Sequence, residues 1–264
     1  MTNSNEYYTQ RTIASWDEVA PKHESINSSL PIDIENQNFN SLNPDFSLLV
    51  DSYTVRDKAI VQICCNNGID LLSIKNKGAG RCLGIDGSSA FIKQAIELSR
   101  FAGHADMEFH CSDIYGLSEN YHSSFDVAII TVGVFGWMPD IDRFMQVCSS
   151  LLTPGGVLLV EELHPILWMY EEGKPSFVHY PYFDKEPIKD VNGLDYFTYE
   201  KYNAKENYSF HHSHSDIFML AIASNLHLEH IKELHYNVGN YCADLELIES
   251  NPPLGINLAW RKNE

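Results

Sequence analysis

Basic residues are scarce in this chain of 264 residues: 18 Lys and Arg stand against 36 Asp and Glu, a formal charge of −18 at pH 7. A field of that sign repels phosphate backbones, and the few cations are scattered without interleaved aromatics, so no nucleic-acid partner is expected. Long apolar runs are missing too. No stretch approaches the roughly 20 apolar residues of a membrane span, and the opening MTNSNEYYTQ lacks the basic-then-apolar profile of a secretion signal. Both absences point to a cytoplasmic protein with no membrane partner. Cys64, Cys65, Cys82, Cys111, Cys148 and Cys242 form no C-x-x-C pair, and most lie in or beside apolar runs, which suits reduced core thiols. Glycine is short where it would matter for a dinucleotide. The turn QICCNNG holds Gly68 alone, so the G-x-G-x-x-G fingerprint fails, which argues against a nicotinamide-dependent reductase.

What the chain does have is apolar residues, 44% of the total, and enough length to bury about 70–75% of its unfolded surface without staples. Residues 1–55 are polar, with two amphipathic islands. SWDEVA (15–20) opens on Ser15, and DFSLLVDSY (45–53) follows Asn43 as cap and Pro44 at the first helical position. These predict short helices that form either a lid or a docked extension. From Ala59 short apolar runs alternate with helical patterns: AIVQICC, then RCLGID before a helix capped by Ser88 and closed by Gly103. MEFHCSD and FDVAIITVGVF come next, then a helix opened by Asp140, the turn TPGG and VLLVEEL. Such alternation predicts a doubly wound α/β domain, with a parallel sheet covered on both faces. Residues 165–209 break the rhythm and read as an aromatic-rich, antiparallel or loop-rich insertion. A helix capped by Ser215, with Asn225 as its left-handed stop, and the strands LHLEHIKEL and GINLAWRK end the chain as an edge hairpin.

Ligands of open α/β sheets bind beyond the carboxyl ends of the strands. Four features stand there in order. The QICCNNG turn, with Gln62, Cys64, Asn66 and Gly68, offers a helix amino end to an anion. Asp86, with Gly87 beside it, is placed to accept from both ribose hydroxyls, or else serves as a helix-end charge ahead of Ser88. Ser112, Asp113 and Ile114 follow the third strand, where a carboxylate accepts from an exocyclic amine or simply forms a turn. The fourth is the pair FDVAIITVGVFGW and LLTPGGVLLVEELHP.

With these motifs in order from Ala59 to Pro165, the chain resembles a class I S-adenosylmethionine-dependent methyltransferase. The resemblance implies a Rossmann-like, seven-stranded, mostly parallel sheet with an antiparallel last strand, S-adenosylmethionine as cofactor and S-adenosylhomocysteine as product. It implies a lid or extension over 1–55 and the methyltransferase domain over 56–264. Cys64, Asn66 and Gly68 stand where the family has three glycines, and Gln62 replaces its usual acid. Asp86 matches the ribose-binding residue, Asp113 and Ile114 the adenine contact, and Thr131 with Val132 the strand end facing the sulfonium. The chain looks closer still to bacterial small-molecule methyltransferases, which are similar in W-D-x-x-A-P (16–21), a Cys-Asn-x-Gly turn (65–68), W-x-P-D (137–140) and His164-Pro165. Trp16 and Trp137 are thereby expected at a small-molecule acceptor.

Methyl transfer from a sulfonium mainly requires alignment of the nucleophile and removal of its proton. His164 is the expected general base, with a brace for the turn before Pro165 as its bland alternative. Glu162 or Glu161 is expected to orient it, since alternation allows only one of them. His211, His212 and His214 suggest a metal at first sight, but no Cys or carboxylate stands at ligand spacing, and His214 is expected on the substrate side instead. No carboxylate stands at 131–138 to hold a divalent cation, so a metal-independent enzyme is expected. The aromatic insertion serves as a cover over the acceptor or as an oligomer contact in a homodimer, a monomer being equally open. The altered glycine turn leaves one other class in play, a weak or inactive methyltransferase fold acting as a binding partner.

Overall fold

A computed structural model describes residues 4–198 and 200–264. The predicted apolar runs become strands, and those at the centre of the sheet are buried on both faces, whereas the third run forms a partly exposed edge strand. In chain order the elements are α1 (Ser4–Ile26), α2 (Leu30–Asp33), α3 (Pro44–Ser52), β1 (Ile60–Ile63), α4 (Ile69–Asn76), β2 (Cys82–Asp86), α5 (Ser89–Phe101), β3 (Glu108–Cys111), β4 (Phe125–Ile130), α6 (Ile141–Leu151) and β5 (Leu152–Leu163). The short strands β6 (Tyr170–Glu171), β7 (Phe177–Val178), β8 (Ile188–Asp190) and β9 (Asn207–Ser209) follow, then α7 (His214–Ala223), β10 (Leu226–Leu234) and β11 (Gly255–Lys262).

Seven strands form one sheet in the order β10-β11-β5-β4-β1-β2-β3. β1 runs parallel to both β2 and β4, so the strand order reverses between β1 and β4 and opens a crevice at their carboxyl ends. β11 is antiparallel to both β5 and β10. Alternation divides the core between the faces. Val61, Ile63, Ala128, Ile130 and Leu158 pack with Phe144, Met145 and Cys148 of α6 and Ile217 of α7. Ile60, Val127, Ile129 and Leu159 pack with Leu71 and Leu72 of α4 and Phe46 of α3. Residues buried on both sides explain why these strands read as continuous apolar runs.

Several local expectations change. The short helix at 15–20 belongs to one helix of 23 residues that carries Pro21 inside it, and Ser15 is buried mid-helix instead of capping. Helix α7 is capped by Ser213, whose hydroxyl accepts from the Asp216 amide while Asp216 accepts from the Ser213 amide; Ser215 lies inside. This capping box outcompetes a serine two residues later because it satisfies two end donors at once. The TPGG turn is absorbed into β5, where the register passes from Phe125↔Leu152 to Val127↔Val157 and Gly155 takes φ +75°. The caps at Ser88 and Asp140 and the left-handed stop at Asn225 are as read. The insertion forms two antiparallel ladders, β6 with β7 and β8 with β9, and β9 is tied to α1 by the paired bonds of Thr12 and Tyr208.

Candidate active site

The turn after β1 keeps its path with a single glycine. Cys64, Asn66 and Gly68 all adopt left-handed backbone, at φ +55°, +50° and +76°. Asn66 is suited to this because its own Oδ1 accepts from the Asn67 amide at 2.7 Å. Cys64 has no such local bond, and the conformation costs it roughly 1–2 kcal/mol. Gly68 is required on a second count, since a Cβ there would stand 2.8 Å from the Phe109 ring.

Asp86 fastens this turn. Its two oxygens accept from the amides of Asn66 and Ser88, each at 2.8 Å. Desolvation pushes its pKa up to about 6, against the pull of those two amides and with a further push from the nearby Asp17 carboxylate. Asp17 itself, on α1, accepts from the Ser88 hydroxyl at 2.7 Å and the Ala90 amide at 3.0 Å, so an acid caps α5 from outside. Ile13, one turn earlier, presses so close to Gly87 that a Cβ on Gly87 would meet its Cδ1 at 2.6 Å. Asp113 forms the turn that was its alternative reading, accepting from the Tyr115 amide at 3.0 Å through Oδ1, and desolvation raises its pKa.

Gln62, buried at the end of β1, donates through Nε2 to Thr131 Oγ1 at the end of β4, at 2.9 Å. Its Oε1 is buried with no protein partner. A cavity of about 720 Å³ opens beside it, within the range of roughly 300–1,000 Å³ typical of small-molecule sites. Every residue expected around the cofactor lines this cavity except Gly68, which shapes the turn behind it; Trp16 and Trp137 line it too, their rings edge-on at 5.5 Å.

His164, Glu162 and His214 do not line the cavity. The His164 ring is used up: Nδ1 accepts from the Ile166 amide at 3.2 Å, and Nε2 faces Glu233 Oε1 at 3.0 Å. With Nδ1 accepting, Nε2 carries the proton, so His164 braces the turn before Pro165. Burial and the neighbouring His214, 4.4 Å away ring to ring, lower its pKa to about 4. Glu162 accepts from the amides of Gly133, Phe135 and Leu163 at 2.5, 3.0 and 2.7 Å, which fixes the segment after β4, while burial pushes its pKa up to about 7. Alternation turns its neighbour inward. Glu161 is only 2% exposed and lines the cavity, one oxygen accepting from Asn43 at 2.9 Å and the other without a partner; burial pushes its pKa up to about 8. His211, His212 and His214 do not converge. His211 stacks on Trp168, His212 bonds the Met138 carbonyl, and His214 lies on His164.

Sequence reasoning missed His23. It lines the cavity with Nε2 on the Leu194 carbonyl at 3.0 Å and Nδ1 buried without a partner, and burial lowers its pKa. The signal was available: Trp16, Val19, Ala20 and His23 follow the i, i+3, i+4, i+7 spacing of one helical face.

The Methyltransferase domain family matches residues 60–156. The Neisseria meningitidis protein named ubiquinone biosynthesis O-methyltransferase is 26% identical over 42% of this chain and 46% of its own length. A tRNA U34 carboxymethyltransferase from Cellvibrio japonicus is 30% identical over 42% of this chain and 34% of its own. The chain thus spans less than half the length of these curated relatives. In fold, it superposes on an S-adenosylmethionine dependent methyltransferase from Mesorhizobium loti with a TM-score of 0.60 at 20% identity, covering 81% of this chain and 96% of that one.

Proposed function

The chain carries a methyltransferase domain of the class I Rossmann-like fold, and on that premise we propose that it transfers a methyl group from S-adenosylmethionine to a small-molecule acceptor. The observation that carries this reading is the buried, unpartnered Gln62 Oε1 in the same cavity as Asp86. A buried acceptor without a partner calls for a ligand donor, and the cofactor's ammonium is one. Asp86 retains lone pairs for two ribose hydroxyls after binding its two amides, and Asp113 binds the Tyr115 amide through Oδ1, which leaves Oδ2 to accept from an adenine amine. S-adenosylmethionine, when bound, supplies a methyl group on a positively charged sulfur. The protein's part is placement. Glu162 fixes the backbone at Gly133 and Phe135, Thr131 is held by Gln62, and α1 with the insertion shields the cavity from water. The N-terminal helices thereby cover the cavity as a lid, held to α5 through Asp17.

The acceptor side is read as metal-independent, since residues 131–138 carry no carboxylate for a divalent cation. A small molecule fits better than tRNA because an excess of 18 negative charges opposes a polyanion. Calorimetry with S-adenosylhomocysteine tests the reading. A micromolar Kd, about −8 kcal/mol, weakened in Asp86→Ala, is expected; no binding at millimolar concentration would leave a partner protein with a failed cofactor turn.

A further inference from the structure

Beyond the turns of β1, β2 and β3 the cavity continues under the insertion, and the chemistry of its wall changes there. Trp168, Tyr180, His211 and Tyr241 all line it. Trp168 stands 5.6 Å from Tyr241 and 6.2 Å from His211 between ring centroids, with an interplanar angle of 24° to the imidazole; Tyr180 is 5.7 Å from His211. These rings adjoin the methyl-transfer end, because a Cβ on Gly136, just after β4, would meet the Trp168 ring at 2.7 Å. Glu171 and Glu172 line the same wall. The Tyr180 hydroxyl donates to Glu171, and the Cys242 amide donates to Glu172 at 3.2 Å. Among the described residues Lys201 is the one Lys or Arg in the whole lining.

A second observation points to a donor ligand. His211 is 5% exposed and its Nδ1 has no partner. A neutral imidazole with its hydrogen on Nε2 presents at Nδ1 a buried lone pair that a ligand N–H can satisfy. Burial lowers its pKa and keeps the ring neutral near pH 7. Aromatic faces beside carboxylates attract cations, and the same carboxylates repel phenolates and carboxylic acids.

We infer that the acceptor is a cationic amine, its ammonium group lying against Trp168, Tyr180 and Tyr241, balanced by Glu171 and Glu172, and donating one N–H to His211 Nδ1. That the bound amine is the methyl acceptor rests on the proposed methyl transfer; the cation site does not. 2-Phenylethylamine, with 2-phenylethanol and 3-phenylpropionate as neutral and anionic counterparts of similar shape, tests it by calorimetry on the full chain, with and without S-adenosylhomocysteine. The amine is expected to bind about tenfold more tightly than either counterpart, and to lose about that factor in the double variant Glu171→Gln/Glu172→Gln. Binding of S-adenosylhomocysteine by that variant serves as the control for folding. Equal or tighter binding of the alcohol or the acid overturns the inference, as does an unweakened double variant, or failure of all three probes at 10 mM while S-adenosylhomocysteine binds. Amine selectivity without any S-adenosylhomocysteine binding upholds the cation site and sinks the methyltransferase reading.

Discussion

The two halves of the cavity are made differently. The half proposed for the cofactor comes from consecutive strand ends between Gln62 and Thr131, and its contacts are largely backbone amides: Asn66 and Ser88 on Asp86, Tyr115 on Asp113. The half proposed for the acceptor comes from α1, the insertion and the segment after β10, which bring Trp16, Tyr180, His211 and Tyr241 to one cavity from distant parts of the chain. A backbone-built half tolerates side-chain change as long as the path is kept, which is how Cys64 and Asn66 stand in for glycines. A side-chain-built half has no such tolerance, so substitutions there are expected to change specificity first.

That contrast orders the expected effects. Asp86→Ala removes the acceptor of two amides and of the proposed ribose hydroxyls, and at about 1.5–3 kcal/mol for a bond to a charged group it should lower S-adenosylhomocysteine affinity by about 100-fold. A calorimetric Kd within a few-fold of wild type would erase the distinction between the halves. Next comes the pH response of Glu161. Burial holds this carboxyl neutral up to about 8 against an ordinary value of 4.5, so the folded state keeps a proton that the unfolded chain releases. Stability should therefore fall as pH rises from about 4.5 to about 8 and level off above. Glu161→Gln should make the Tm profile shallower over that window and flat between about pH 7 and 8, leaving below it the equal slopes of Glu162 and Asp86, whose pKa values of about 7 and about 6 are shifted in the same direction over narrower ranges.

Gly68→Ala should destabilise by roughly 1–3 kcal/mol, through left-handed strain and the Phe109 contact, as read by urea denaturation. His164→Ala should cost about 1–2 kcal/mol for the lost brace, with unaltered Kd for both S-adenosylhomocysteine and 2-phenylethylamine; a selective loss of turnover would restore it as the base. Cys64→Gly is the mildest. It relieves strain but loosens the unfolded chain, so a net gain of under about 1 kcal/mol is expected, with cofactor affinity preserved.

The same contrast explains what could be read from the sequence. The alternating runs, the caps at Ser88 and Asp140, and the aspartates at strand ends follow from short-range rules, and they predict the sheet and the strand-end residues that line the cavity. The orientation of His164 is not legible, because its position after β5 is a matter of sequence while its orientation is a matter of packing: Glu233 and His214, distant in the chain, hold the ring outside the cavity lining. Choosing between Glu161 and Glu162 needed the partners of each, Asn43 for one and the amides after β4 for the other. Helix α1 was underestimated because Pro21 and the polar residues around Ser15 hide its length, whereas its tertiary contacts through Ile13, Asp17 and Thr12 sustain it.

The central claim is that this crevice grips an adenosyl group through Asp86 and Asp113. A crystal structure grown with S-adenosylhomocysteine tests it directly. Ribose hydroxyls within hydrogen-bond reach of Asp86, and the ammonium on Gln62 Oε1, are the predicted result; Ile13 and α1 still closed on Gly87 over an empty crevice, with the ligand bound elsewhere or nowhere, would contradict it.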